Sequence, residues 1–181
     1  MQGMDVLNVQ IPHPAFSNFW HIRENGSHTI LEVILEYLRD DNLTCMSAID
    51  ISSMEGFLTR IMGRAGIRKC TCIEEKNYTI VKCIFELLQI PKIDLVHNIQ
   101  ELNDKEYDIV FDLNINHEQK KIICENKELF VKCKKYLFIE LQQSESDLAD
   151  EISNLSDLKD KQKLMSEVCG GKKYDIYVFR K

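Results

Sequence analysis

A candidate ligand-binding motif lies at the end of the first predicted strand. The stretch 48–60 reads AIDISSMEGFLTR, an apolar strand that ends in small residues and turns directly into an amphipathic helix. Small residues let the backbone approach a ligand closely, and free amides at a helix start favour electronegative groups. Further along, Glu74 ends a second predicted strand, where a carboxylate can accept both hydroxyls of a ribose. These two strand ends predict a nucleoside site.

The two strand ends resemble the first motifs of the class I S-adenosylmethionine-dependent methyltransferase family, an acid before a glycine-rich turn and a second strand ending in Asp or Glu. The resemblance covers the chain from Met46 onward and implies S-adenosylmethionine as methyl donor. The implied donor-binding residues are Asp50 as the first-motif acid, Ser52 and Gly56 in the turn, Glu74 at the ribose, and Asn98 and Ile99 near the adenine. Ser52 and Met54 stand where the family usually has glycine. A turn of another Rossmann-like domain is the alternative interpretation.

The exit of the fourth predicted strand supplies the candidate catalytic residues. It reads YDIVFDLNINH over 107–117, and in the resembling family this exit borders the methyl group and its acceptor. Asp112 and His117 are the candidate catalytic residues, since a histidine can act as a base near neutral pH. Asn114 and Asn116 are candidate substrate contacts. Helix capping by Asn and His is the alternative explanation.

The N-terminal segment 13–23 collects two histidines and three aromatic residues, including Trp20, the only tryptophan. In the resembling family, segments ahead of the first strand often cover the active site, which makes Trp20 a candidate substrate contact. Anchoring of the terminus to the core or to a second subunit is the alternative.

The elements that must position these residues alternate between short apolar runs and longer helical patterns, which is typical of repeated βαβ units. A helix over Thr29–Leu38 is predicted to pack on the sheet. Ser144–Val168 reads as polar and helical, with no strand before Gly170 and Gly171. The predicted strands are Met46–Ile51, Lys69–Glu74, Lys92–Val96, Tyr107–Leu113, Lys134–Leu141 and Lys173–Arg180.

This pattern predicts an α/β fold, a doubly wound, mostly parallel sheet with helices on both faces, Rossmann-like in the manner of the methyltransferases. Because the usual fold ends in a two-strand hairpin, we expect a shortened C-terminal edge or pairing with another copy in a homodimer. The chain is expected to form a single domain, 1–181. Within it, 1–45 is an N-terminal segment with a helix packing on or capping the sheet, and 46–181 is the Rossmann-like core.

Composition restricts the partners and the compartment. The net charge of −6 disfavours a nucleic-acid partner, because the overall field would repel a phosphate backbone. No signal-like or membrane-spanning apolar run is present, so we expect a cytoplasmic protein with reduced cysteines, and no metal-binding spacing occurs among them.

The resemblance therefore implies methyl transfer from S-adenosylmethionine to an unidentified acceptor, expected to be a small molecule. The alternative is a Rossmann-like binding or assembly module that has lost methyltransferase activity. A nicotinamide-dependent oxidoreductase is disfavoured, because the turn lacks the Gly-x-Gly-x-x-Gly pattern.

Overall fold

The computed structural model describes residues 30–51, 56–89, 92–102, 106–113, 126–145, 147–155, 157–158, 160–169 and 172–181. Within these residues the helices are α1 (Ile30–Tyr37), α2 (Phe57–Arg64), α3 (Tyr78–Leu88) and α4 (Asp147–Leu155), with a further helical stretch over 126–131. The strands are β1 (Ser47–Asp50), β2 (Lys69–Ile73), β3 (Ile93–Val96), β4 (Tyr107–Asp112), β5 (Cys133–Gln142), β6 (Asp160–Cys169) and β7 (Lys172–Arg180).

The described strands form a seven-stranded sheet in the order β3-β2-β1-β4-β5-β7-β6. β3, β2, β1, β4 and β5 are parallel to one another, and β7 lies antiparallel to both β5 and β6. The predicted doubly wound, mostly parallel sheet is therefore confirmed.

Two apolar layers cover the two faces of the sheet. Alternate residues of a strand point to opposite faces, so in β5 Phe138 packs with α1 residues such as Ile34, while Leu137 packs with Phe130 and with Ile152 of α4. The layer that contains Ile34 and Phe138 is called the α1 layer below, and the other the α4 layer. Both layers are needed because a central parallel strand is apolar on both faces.

The expected absence of a strand before the final one is wrong. Ser144–Val168 is not one helical segment, because α4 ends at Leu155 and β6 runs over Asp160–Cys169 beside β7. The C-terminal edge is consequently not shortened, and the sheet ends in an antiparallel hairpin. As an edge strand, β6 needs no continuous apolar run, and of its residues Leu164 and Met165 pack on the α1 layer. A register shift between Lys163 and Met165 also breaks the alternation of side chains that identifies a strand.

Among the described helices, none combines the length and the apolar character needed to cross a bilayer.

Candidate functional site

The candidate site lies where the winding of the sheet reverses direction. From β1 the chain proceeds outward through β2 and β3 on one side, and from β4 through β5 on the other, while β1 and β4 are neighbours. Ligands of open α/β sheets bind outside the carboxyl ends of the strands at such a switch point. The last residues of these two strands are Asp50 and Asp112. Asp50 is aligned with Phe111, so the two acids end adjacent strands one residue apart in register.

Asp50 is buried at the end of β1. Its side chain is 2% exposed, and the Thr59 hydroxyl donates a hydrogen bond to its Oδ2 at 2.9 Å. Thr59 belongs to α2 and is itself fully buried, so the helix that follows the turn holds the acid of the preceding strand. Burial raises the pKa of Asp50 from 3.8 to about 7, and the negative charges of Asp112 and Glu74 act in the same direction.

Gly56 precedes α2 with a left-handed backbone, φ 67° and ψ 22°. A Cβ at this position would lie 2.5 Å from Cζ of Phe85 and 3.2 Å from Cγ1 of Val81, both on α3. The glycine is therefore required by its backbone conformation and by the close packing of α3 against Gly56 itself. This is a packing role, in addition to the ligand-approach role that the resemblance implies for it.

Glu74 directly follows β2 and is 8% exposed. Its Oε1 accepts backbone hydrogen bonds from Lys76 at 3.0 Å and from Asn77 at 2.9 Å, which holds the turn into α3. Its backbone amide donates to the carbonyl of Val96 on β3, at 3.1 Å. The carboxyl group is thus fixed next to the end of β1.

Asn98 and Ile99 follow the end of β3, on the outer side of the site. The Asn98 side-chain oxygen accepts from the amides of Gln100 (3.0 Å) and Glu101 (3.2 Å), so it caps the short 3-10 helix Ile99–Glu101. Ile99 packs against the α4 layer. Both residues lie where the chain leaves the sheet beside Glu74.

Sequence reasoning missed three residues of this region. Thr59 gives no signal beyond its position nine residues after Asp50. Tyr78 and His97 have ring centroids 5.4 Å apart with planes tilted by 40°, and they follow the ends of β2 and β3. Their signal was available, since His97 directly precedes Asn98 and Tyr78 comes four residues after Glu74.

Several predicted site residues lie outside the described residues. They are Ser52 in the turn, Asn114, Asn116 and His117 on the exit of β4, and Trp20 in the N-terminal segment. Of the predicted acceptor side, the structure places Asp112, which is 2% exposed at the end of β4. The structure therefore brings together Asp50, Glu74 and Asp112 around the ends of β1, β2 and β4, with Asn98 and Ile99 beside them.

Comparison by sequence finds no matching family model and no matching curated protein. Comparison of structures does find similar proteins. Magnesium protoporphyrin IX methyltransferase from Synechocystis PCC 6803, solved with bound S-adenosylmethionine, is 15% identical with a TM-score of 0.65, over 93% of this chain and 92% of that one.

Two further structures show the same likeness. Precorrin-6y C5,15-methyltransferase from Geobacter metallireducens is 12% identical with a TM-score of 0.61, covering 84% of this chain and 88% of that chain. A dimethyladenosine transferase from Plasmodium falciparum is 13% identical with a TM-score of 0.63, covering 83% and 60%. The names refer to different compounds, so the shared architecture does not identify an acceptor. The strand order, the antiparallel β7 and these likenesses together show that the chain has the fold of the class I S-adenosylmethionine-dependent methyltransferases.

Proposed function

We propose that the chain binds S-adenosylmethionine at the carboxyl ends of β1, β2 and β4 and transfers its methyl group to a small-molecule acceptor. The observation that carries this proposal is the meeting of Asp50, Glu74 and Asp112 at the switch point of a methyltransferase fold. The likeness to an enzyme solved with bound S-adenosylmethionine supports the same donor.

The residues present fit the chemistry of this donor. Carboxyl groups suit both a sulfonium cation and the hydroxyls of a ribose, and the cluster supplies three of them. Glu74, fixed by two backbone amides, is proposed as the ribose acid, and Asp50 and Asp112 as the acids nearest the sulfonium. Tyr78 and His97 are proposed to border the adenine, because aromatic rings pack well on a planar base.

The donor, when bound, supplies an electrophilic methyl group on a positively charged sulfur. The contribution of this chain is then to hold donor and acceptor in line and to exclude water, which accounts for the few polar side chains involved. Asp112, at the end of β4, is proposed to face the acceptor, with His117 as the base and Asn114, Asn116 and Trp20 as substrate contacts. A small acceptor is favoured by the net charge of −6, which would weaken the binding of a nucleic acid.

Titration calorimetry with S-adenosylhomocysteine tests the donor site. Glu74→Gln keeps an oxygen that can accept from the amides of Lys76 and Asn77 but removes the charge that would hold the ribose. We expect it to raise the dissociation constant by about tenfold or more. Glu75→Gln is the matched control, since Glu75 is exposed and adjacent in sequence, and we expect it to leave binding unchanged. Absence of binding to the unaltered chain would contradict the proposal.

The alternative, a binding or assembly module without activity, makes a different prediction. For such a module, S-adenosylmethionine and other adenosine-containing ligands would leave the thermal unfolding temperature unchanged. A methyltransferase would instead be stabilised by its donor in proportion to the logarithm of the donor concentration above the dissociation constant. Thermal unfolding at several donor concentrations tests donor binding, and an unchanged transition together with a stable dimer by light scattering would favour the module.

A further inference from the structure

Three buried carboxyl groups occupy neighbouring strand ends, and their number matters as well as their positions. Asp50 and Asp112 are each 2% exposed, and Glu74 is 8% exposed. β2, β1 and β4 are consecutive in the sheet, and adjacent strands are about 4.8 Å apart. The backbone register places Asp50 beside Cys72 of β2 and Phe111 of β4, so each of the other two acids is one or two residues beyond a direct neighbour of Asp50.

We propose that this carboxylate cluster makes the site distinguish the sulfonium cation of S-adenosylmethionine from the neutral thioether of S-adenosylhomocysteine, increasingly so as the pH rises. The inference rests on the proposed function, because it concerns the same donor site. It goes further in assigning Asp50 a regulatory proton and in predicting which of donor and product the site prefers at a given pH.

The surroundings of Asp50 explain why it would hold a proton when no cation is near. The Thr59 hydroxyl of α2 donates a hydrogen bond to Asp50. Cys70 and Cys72 of β2 are on the same face of the sheet as Asp50. Phe111 of β4 is its direct neighbour in the ladder. The charged groups that act on it are the carboxylates Asp112 and Glu74. Burial first, and then these like charges, raise its pKa to about 7, so a large fraction of the chains carry a neutral Asp50 at neutral pH.

A cation bound at these strand ends shifts the equilibrium between the protonated and ionised forms of Asp50. A positive charge nearby favours the ionised carboxylate, so donor binding releases the Asp50 proton to solvent, and the affinity for the donor increases as the pH rises towards about 7 and levels off above it. A thioether carries no charge and gives no such increase. After methyl transfer the sulfur is neutral, so Asp50 takes a proton back and the product loses the attraction that held the donor.

The test measures dissociation constants of both ligands by calorimetry across the pH range. The ratio of the two constants is the informative quantity, because titrations of the protein that act equally on both ligands cancel in it. The amino groups of the two ligands titrate at different pH, because the sulfonium lowers the pKa of one of them, and this contribution is measured on the free ligands and subtracted. We expect the preference for S-adenosylmethionine to increase by about tenfold between about pH 5.5 and about pH 8.5. Repeating the titration in two buffers of different ionisation enthalpy counts the protons released by the donor.

Two substitutions at Thr59 and one at Asp50 assign the effect to this proton. Thr59→Val removes the hydroxyl that donates to Asp50, so the pKa of Asp50 and the midpoint of the ratio should increase by about one pH unit. Thr59→Ser keeps the hydroxyl and should keep the midpoint. Asp50→Asn cannot ionise and should abolish the dependence of the ratio on pH.

The outcomes separate this inference from the proposed function. If both ligands bind with the same pH dependence, the inference is wrong and the donor site stands. A ratio that still changes with pH in Asp50→Asn also overturns it, because another group would then carry the proton. If neither ligand binds at any pH, the proposed function and the inference both fail.

Discussion

At the scale of single residues, the pair Asp50 and Thr59 links the stability of the fold to the candidate site. A buried carboxyl group is costly when charged, and the fold reduces this cost with hydrogen bonds from the side chain and the backbone of Thr59 and by favouring the protonated form. The same residue is the first-motif acid in the resemblance. A group placed for function is therefore expected to weaken the fold at alkaline pH.

The first prediction concerns this dependence. The pKa of Asp50 is higher in the folded chain, about 7, than its ordinary 3.8, so the folded state binds more protons between these values. Its contribution to stability is complete below about pH 4 and is lost as the pH rises through about 7. Asp50→Asn cannot ionise, so the free energy of unfolding from urea titrations should fall less with pH than in the unaltered chain, with a difference of a few kcal/mol at about pH 8. Parallel curves for the two proteins would contradict a raised pKa.

The second prediction concerns Gly56. Alanine there must adopt φ 67° and bring its Cβ to 2.5 Å from Cζ of Phe85, so Gly56→Ala should lower the free energy of unfolding by about 2 to 4 kcal/mol. Gly66→Ala is the matched control. Its φ is also positive, at 92°, but its Cβ would meet only Cγ2 of Thr44 at 3.9 Å. We expect that control to cost about 1 to 2 kcal/mol, and equal losses at both positions would show that packing on α3 adds nothing.

At the scale of elements, β6 and β7 form the antiparallel edge of the sheet, and the buried acid Asp175 adds side-chain contacts to their backbone ladder. Asp175 of β7 is 3% exposed, and its carboxylate accepts from the Ser166 hydroxyl at 2.6 Å and from the Tyr177 hydroxyl at 3.3 Å. Lys163 lies 3.7 Å from the same carboxylate. The contacts of Ser166 and Lys163 join β6 to β7 close to the register shift, where the regular ladder is interrupted, while the Tyr177 contact lies within β7. Side-chain contacts thus support an edge strand that has little apolar surface.

The third prediction follows from this network. Ser166→Ala and Tyr177→Phe should each lower the free energy of unfolding by about 1 kcal/mol, since each removes one donor from a buried acceptor. The double variant should lose more than the sum, because Asp175 then keeps neither hydroxyl. Denaturant titrations of the four proteins provide the cycle, and strict additivity would mean that the two hydroxyls act independently.

At the scale of the whole molecule, two apolar layers pack on opposite faces of one sheet. Loss of either layer would expose one face of the strands on which the other layer packs. Phe111 and Phe138 stack in the α1 layer with centroids 5.3 Å apart, while Leu137, next to Phe138 in β5, belongs to the α4 layer. The single domain expected from the sequence stays a prediction, and the sharing of one sheet by both layers favours it. The expected homodimer was argued from a shortened sheet edge; with β6 in place that reason is gone, and the homodimer stays a prediction for light scattering to test.

The fourth prediction tests the cooperation of the layers. Phe138→Ala and Leu137→Ala each leave a cavity, one on each face of β5, and should lower the free energy of unfolding by about 3 to 5 and 2 to 5 kcal/mol, respectively. Both variants should unfold in a single calorimetric transition, because the layers are joined by the same strands. Two separate transitions in either variant would contradict a single cooperative domain.

The parallel strands and the acids at their ends were predictable from the amino-acid sequence. Central strands are covered on both faces and read as apolar runs, so the predicted bounds of β1 to β5 differ from the observed ones by at most one residue at either end. Asp50, Glu74 and Asp112 were found because an acid at the end of an apolar strand is visible in the sequence alone. The resemblance to the methyltransferases rested on the same residues.

The edge of the sheet and the local contacts of the site, by contrast, depend on contacts between elements that the sequence pattern does not show. β6 has a single neighbour and a register shift, so its sequence shows neither an apolar run nor a clear alternation. Thr59 is placed in the site by its hydrogen bond to Asp50 of a different element. Tyr78 and His97 are placed there by contact of their rings, which no sequence pattern indicates. The raised pKa of Asp50 likewise depends on burial and on acids from two other strands, which no local pattern records.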